Sequence, residues 1–96
     1  MNARVNVENM AGHKQLEVND AQYQKLDPNG GVRDVTLPDV ENTGLTFTIH
    51  NIGGETITVK KPGGATVATL PTLEACTFIC DGSAWQHLGI ITVQAA

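Results

Sequence analysis

Asp81, Ser83 and His87 fall within seven residues of one another in CDGSAWQHLG, and Ser83 is the only serine of the chain. A carboxylate, a hydroxyl and an imidazole are the parts of a nucleophilic triad, which is recognised by geometry rather than by order. No strand-to-helix elbow of the G-x-S-x-G kind surrounds this serine, and Asp-Gly-Ser is ordinary turn chemistry. Three residues on one short hairpin also converge poorly on a single substrate atom. The chain is therefore expected not to be an enzyme. His13, His50 and His87 are single and widely spaced, without the paired spacing of zinc motifs. One histidine per chain at a threefold axis is the arrangement that could make a metal site, and the default is no cofactor. The doubled glycines at 30–31, 53–54 and 63–64 precede no helix, and no G-x-x-x-x-G-K-[ST] occurs. They are turns, with Gly30 and Gly53 or Gly54 expected at positive φ.

Cys76 and Cys80 lie in EACTFICDG. On a strand they share a face about 13 Å apart at ~3.3 Å per residue, whereas a disulfide needs Cα atoms within ~7 Å. Both read as small buried hydrophobes. Trp85 reads as an anchor for the core or a subunit contact, with a sugar-stacking platform as the alternative.

The elements that must position these residues are strands. Phe47 to Gly64, FTIHNIGGETITVKKPGG, alternates apolar and polar residues on either side of a doubled glycine, and reads as a β-hairpin leading into a second turn. Leu16, Val18, Tyr23 and Leu26 fit two short strands around Asn19-Asp20. Asp27 to Gly31, DPNGG, is a strong turn. Val32–Leu37, Ala65–Leu70, Ala75–Cys80, Ala84–Leu88 and Ile90–Val93 follow as strands. No helical period extends over three turns. The expected fold is all-β, one small antiparallel sandwich or jelly-roll-like barrel of about eight short strands. The residues expected in its core or subunit interface are Phe47, Ile49, Ile57, Val59, Cys76, Phe78, Cys80 and Trp85.

With 96 residues, two Phe, one Tyr and one Trp, the core is thin, and oligomerisation is the simplest remedy. Charged residues are only 17% of the chain, and eleven threonines take up much of the polar surface instead. The net charge is −4 and the six basic residues are scattered apart from Lys60-Lys61, which argues against nucleic acid. Apolar runs are far shorter than a membrane span, and no signal-peptide pattern opens the chain.

Residues 1–13, MNARVNVENMAGH, are polar and Asn-rich with little apolar content. They read either as an arm ordered against a partner, ahead of a single β domain over 14–96, or as the first strand of that domain. In the arm reading Asn2, Arg4, Val5, Asn6, Val7, Asn9 and Met10 make the contact, because Asn side chains both donate and accept.

YQKLDPNGGVRDVTLP, FTIHNIGGETITVKKPGG and TFICDGSAWQHLG, which span about residues 23–89, together resemble a pattern met in structural proteins of tailed bacteriophages. The resemblance rests on Leu26 to Pro38, Phe47 to Asn51, Ile57 to Val59 and Cys80 to Trp85. It implies a capsid decoration (cement) protein that is made in the host cytoplasm and sits on the outer surface of the virion. Such a protein is a homo-oligomer, typically a trimer, and binds the major capsid protein. The same pattern occurs in β modules of tail fibres and spikes, where a loop such as Asp39–Gly44 would contact a host glycan.

Overall fold

A computed structural model describes residues 4–39 and 44–93. Among them are nine strands and no helix: β1 (Val5–Asn9), β2 (Lys14–Gln15), β3 (Tyr23–Asp27), β4 (Arg33–Thr36), β5 (Thr46–Asn51), β6 (Ile57–Lys60), β7 (Thr66–Leu70), β8 (Glu74–Cys80) and β9 (Trp85–Thr92). A five-stranded sheet runs in the order β1-β3-β5-β8-β9, and a four-stranded sheet in the order β2-β4-β6-β7. The all-β expectation holds. The antiparallel arrangement of eight strands does not, because both sheets are mixed.

The reason lies in how the chain passes between sheets. β1 pairs in parallel with β3 and β3 with β5, while β2 pairs in parallel with β4 and β4 with β6. Parallel neighbours need a crossover connection. Here the crossover is the other sheet: each rung lays one strand in the larger sheet, turns, and lays the next in the smaller one. The last three strands return antiparallel, as the hairpins β6–β7 and β8–β9 and the pair β5–β8.

This topology corrects the hairpin expected over Phe47–Gly64. β5 and β6 lie in different sheets, and the Gly53-Gly54 turn passes the chain between them. Asn51, fully buried, fixes that turn by donating from Nδ2 to Glu55 O (2.6 Å) and Leu70 O (2.9 Å) and accepting Gly53 N–H at Oδ1 (3.0 Å). Gly53 and Gly54 are not at positive φ. Gly53 is required for another reason: a Cβ there would stand 2.6 Å from Pro28 Cδ, and closer still to the Asp27 carboxylate of the preceding rung. The Asn29-Gly30 turn does have both residues at positive φ (58° and 87°), and it too joins strands of different sheets. Arg33 secures it by donating from Nε to Pro28 O at 2.9 Å and from Nη2 to Asn29 O at 3.3 Å. The doubled glycine at 63–64 does close a hairpin, with both residues at positive φ.

Inward side chains of both sheets meet in one core that includes Met10, Leu16, Leu26, Val35, Leu37, Phe47, Ile49, Ile57, Val59, Leu70 and Phe78. Val18, expected on a strand, is exposed between β2 and β3. Residues 4–13, read as part of an arm, form the first rung instead. β1 pairs along its whole length with β3, Met10 N–H donates to Asp27 O at 2.8 Å, and the Met10 side chain is 1% exposed. Pairing to β3 and burial of Met10 bind this segment into the domain; Asn2 lies outside the described residues. The two strands expected over Ala84–Leu88 and Ile90–Val93 are one, β9, bulged where Leu88 and Gly89 (φ 105°) together face Thr77.

Candidate interaction surface

The Asp81–Ser83–His87 group is a turn. Asp81 Oδ1 accepts the Ser83 and Ala84 N–H groups at 2.9 Å each and the Ser83 hydroxyl at 3.2 Å. The two amides, Ser83's first, hold its carboxyl below the usual carboxylate range. In a triad the carboxylate orients the histidine. Here it orients the turn, and His87 stands exposed on β9 across from Phe78.

The other two histidines are equally far from forming a set. His13 accepts Asp34 N–H at Nδ1 (2.9 Å) on the outer side of the smaller sheet. His50, 7% exposed, lies in β5 with Nδ1 3.2 Å from the Tyr23 hydroxyl and its ring edge-on to Tyr23. Burial, and then the Lys25 ammonium, push its pKa below the ordinary histidine value. Among the described residues no group of three or more His, Cys, Asp or Glu is arranged to hold a metal ion.

The expected core residues lie as follows. Phe47, Ile49, Ile57, Val59, Phe78 and Cys80 are fully buried, with Cys76 and Trp85 nearly so. Trp85 packs on Phe47 with ring centroids 6.3 Å apart and donates Nε1–H to Pro38 O at 2.7 Å. A ring held in this way cannot stack on a sugar. Neither cysteine is in a disulfide, and burial pushes the Cys76 thiol up.

What distinguishes this molecule is the contrast between its two outer faces. The smaller sheet turns Asp34, Thr36, Thr58 and Lys60 outward, with a 3.1 Å ion pair between Asp34 and Lys60. That surface suits water. The larger sheet turns outward Val5 and Val7 on β1, Tyr23 and Lys25 on β3, Thr48 and His50 on β5, Ala75 and Thr77 on β8, and Leu88 and Ile91 on β9. Val5, Val7, Leu88 and Ile91 are each at least 60% exposed. Lys25 carries charge on this face; Asp27 at its rim has an oxygen engaged by Asn29 N–H.

The register of β1 is the reverse of what burial alone selects. Its polar residues Asn6 and Glu8 point inward, and its valines point out. Asn6 Nδ2 donates to Gln24 Oε1 (2.8 Å) and Glu8 Oε1 (3.0 Å), and Lys14 Nζ meets Glu8 at 2.9 Å. This polar network closes the open end of the stack, beside a cleft also lined by Asn19 and Asp20. A one-residue slip would bury the valines and expose the network. The fold keeps the valines outside.

From sequence, Val5 and Val7 belong either to an arm or to a first strand, and the tail GIITVQAA is apolar enough to want cover; the exposure of Leu88 beside it is not foreseen. One signal was available: from Gly82 to Ala96 the chain has no Lys, Arg, Asp or Glu. Solvent-facing edge strands are normally guarded by charge, so an unguarded one points to a partner. Comparison with protein-family models, with curated proteins and with solved structures finds no match to this chain.

Proposed function

We propose that this chain is a capsid decoration protein of a tailed bacteriophage, one that binds the assembled shell as an oligomer, a trimer by the resemblance above, and stabilises it. The observation that carries the reading is the charge-poor outer face of the larger sheet, with Val5, Val7, Leu88 and Ile91 exposed along its two edge strands, on a body we read as sandwich-like. Such a face suits adhesion. Binding the assembled shell and not its separated subunits stabilises the shell by mass action, and several copies held together multiply a modest contact. Of the residues read as shell-binding, Met10 belongs to the core and Asn6 to the polar network. Contact with the major capsid protein falls to Arg4, Asn9 and the free edge of β1, where an extended segment of the shell protein can add a strand.

The test is co-sedimentation of purified protein with expanded capsids that lack a decoration protein. Decoration requires saturable binding and a higher disruption temperature of the shell. Absence of capsid binding together with binding to host cells would replace this reading with the second one, a receptor-binding or tail-fibre module. The cleft beside Asn6, Glu8, Lys14, Asn19, Asp20 and Gln24 favours that second reading, since its donors and acceptors suit a glycan. Residues 40–43 of the loop expected to contact glycan lie outside the described residues.

A further inference from the structure

We infer that Lys14 and Asn6 join in an intramolecular isopeptide bond, formed with loss of ammonia and with Glu8 as the catalytic base, which staples the first strand of one sheet to the first strand of the other. The inference rests on the side chains at the open end of the stack and is independent of the decoration reading.

Three side chains meet there on one oxygen. Glu8 Oε1 accepts from Lys14 Nζ at 2.9 Å and from Asn6 Nδ2 at 3.0 Å. An amine and a carboxamide held on a shared atom lie no more than about 6 Å apart, and the flexible lysine stem covers the rest of the way to the ~3–3.5 Å of an attacking pair. Asn6 also presents the group that must leave: Nδ2 faces both Glu8 and Gln24 Oε1 (2.8 Å). The floor beneath is dry. Register sets Glu8 beside Leu26, Lys14 beside Val35 and Asn6 beside Gln24, all three partners being buried. The other side opens to the cleft lined by Arg4, Asn19 and Asp20, through which ammonia departs.

Glu8, whose carboxyl the Asn6 amide and then Lys14 hold below its ordinary value, takes a proton from the Lys14 ammonium. The freed amine attacks Asn6 Cγ, and the charge that develops on Oδ1 does so in a cleft that also holds the Arg4 guanidinium. Glu8 returns its proton to Nδ2 as the Cγ–Nδ2 bond breaks. It then takes the second proton from the new amide nitrogen and gives it to the departing ammonia, which leaves as ammonium. One C–N bond replaces another, Glu8 is regenerated, and the positive charge of Lys14 departs with the ammonium. No oxidant or cofactor is consumed. The inward register of Asn6 and Glu8 thereby gains a chemical reason. β1 is an edge strand paired only with β3. The bond closes a short loop and adds little through chain entropy, so its effect is to stop this edge from fraying.

The experiment is the intact mass of the full chain, read under denaturing conditions during incubation of the folded protein at neutral pH. In freshly folded protein the three groups are still the ion pair and hydrogen bond described above. Wild type is expected to become lighter than its 10.2 kDa chain by one ammonia. Trypsin, which requires the lysine charge, should then leave residues 5–25 as one peptide uncut after Lys14. Lys14→Arg, which keeps the cation, should hold its full mass, and Glu8→Gln should lose ammonia at least about 100-fold more slowly. If Glu8→Gln fails to fold by circular dichroism, wild type held unfolded in urea takes its place and should keep its full mass. A wild type that keeps its full mass would overturn the bond. So would ammonia loss in Lys14→Arg, a loss confined to the peptide 26–33 that carries Asn29-Gly30, or equal rates with and without Glu8 or the fold.

Discussion

Asn51 shows how one buried side chain can decide a path. Its amide serves one carbonyl and one N–H of the β5–β6 turn and one carbonyl at the end of β7, with no exposure to water. Asn51→Ala strands all three backbone groups, and at ~1–3 kcal/mol for each unsatisfied buried group should cost about 3 kcal/mol or more in urea unfolding. Glu8 makes a prediction about acid. The Asn6 amide first, and the Lys14 ammonium with it, hold its carboxyl below the ordinary value. A carboxyl depressed in the folded state adds stability above its unfolded pKa of roughly 4.3, and that stability is lost as pH falls through the folded value. Stability measured from pH 6 down to pH 3 should therefore fall less steeply in Glu8→Gln than in wild type. An equal slope would show that the network carries no linked proton.

At the scale of elements, the turns between sheets set the rung geometry. Gly53→Ala places a methyl against Pro28 and Asp27 of the rung below. Overpacking of this kind costs about 1–3 kcal/mol. Gly54→Ala meets nothing within 4 Å and should stay within about 0.5 kcal/mol of wild type. Equal effects at the two positions would refute the close approach of successive rungs. β1 gives the complementary test. Deleting residues 1–10 removes Met10 from the core and leaves one edge of β3 without a partner strand, so melting should show a loss of at least about 2 kcal/mol. A truncated chain of wild-type stability would mean that the segment is dispensable to the fold, as a detachable arm would be.

For the whole molecule, pairings such as Val5↔Tyr23 and Tyr23↔Thr48 join residues distant in the chain, and in parallel. Loop closure must precede the reward from such contacts, so folding should take on the order of milliseconds to seconds rather than microseconds. The single tryptophan, buried against Phe47, reports this directly by stopped-flow fluorescence.

Alternation in Phe47–Ile49, Ile57–Val59 and Ala75–Cys80, punctuated by Asn-Gly, Gly-Gly and Asp-Gly, was enough to specify strands, their inward residues and the positions of turns. Those are local properties: period two chooses a face, and glycine permits a bend. Local pattern carries no record of which strand lies beside which. The same Gly-Gly that closes a hairpin at 63–64 passes the chain between sheets at 53–54, because there Asn51 and the Asp27-Pro28 turn of another rung hold it. Likewise Val5 and Val7 alternate as core residues do, yet Gln24 and Lys14 draw Asn6 and Glu8 inward and turn the valines out. The strands were written in the sequence. Their partners, and the valines left exposed on β1, were decided by contacts between residues the chain keeps far apart.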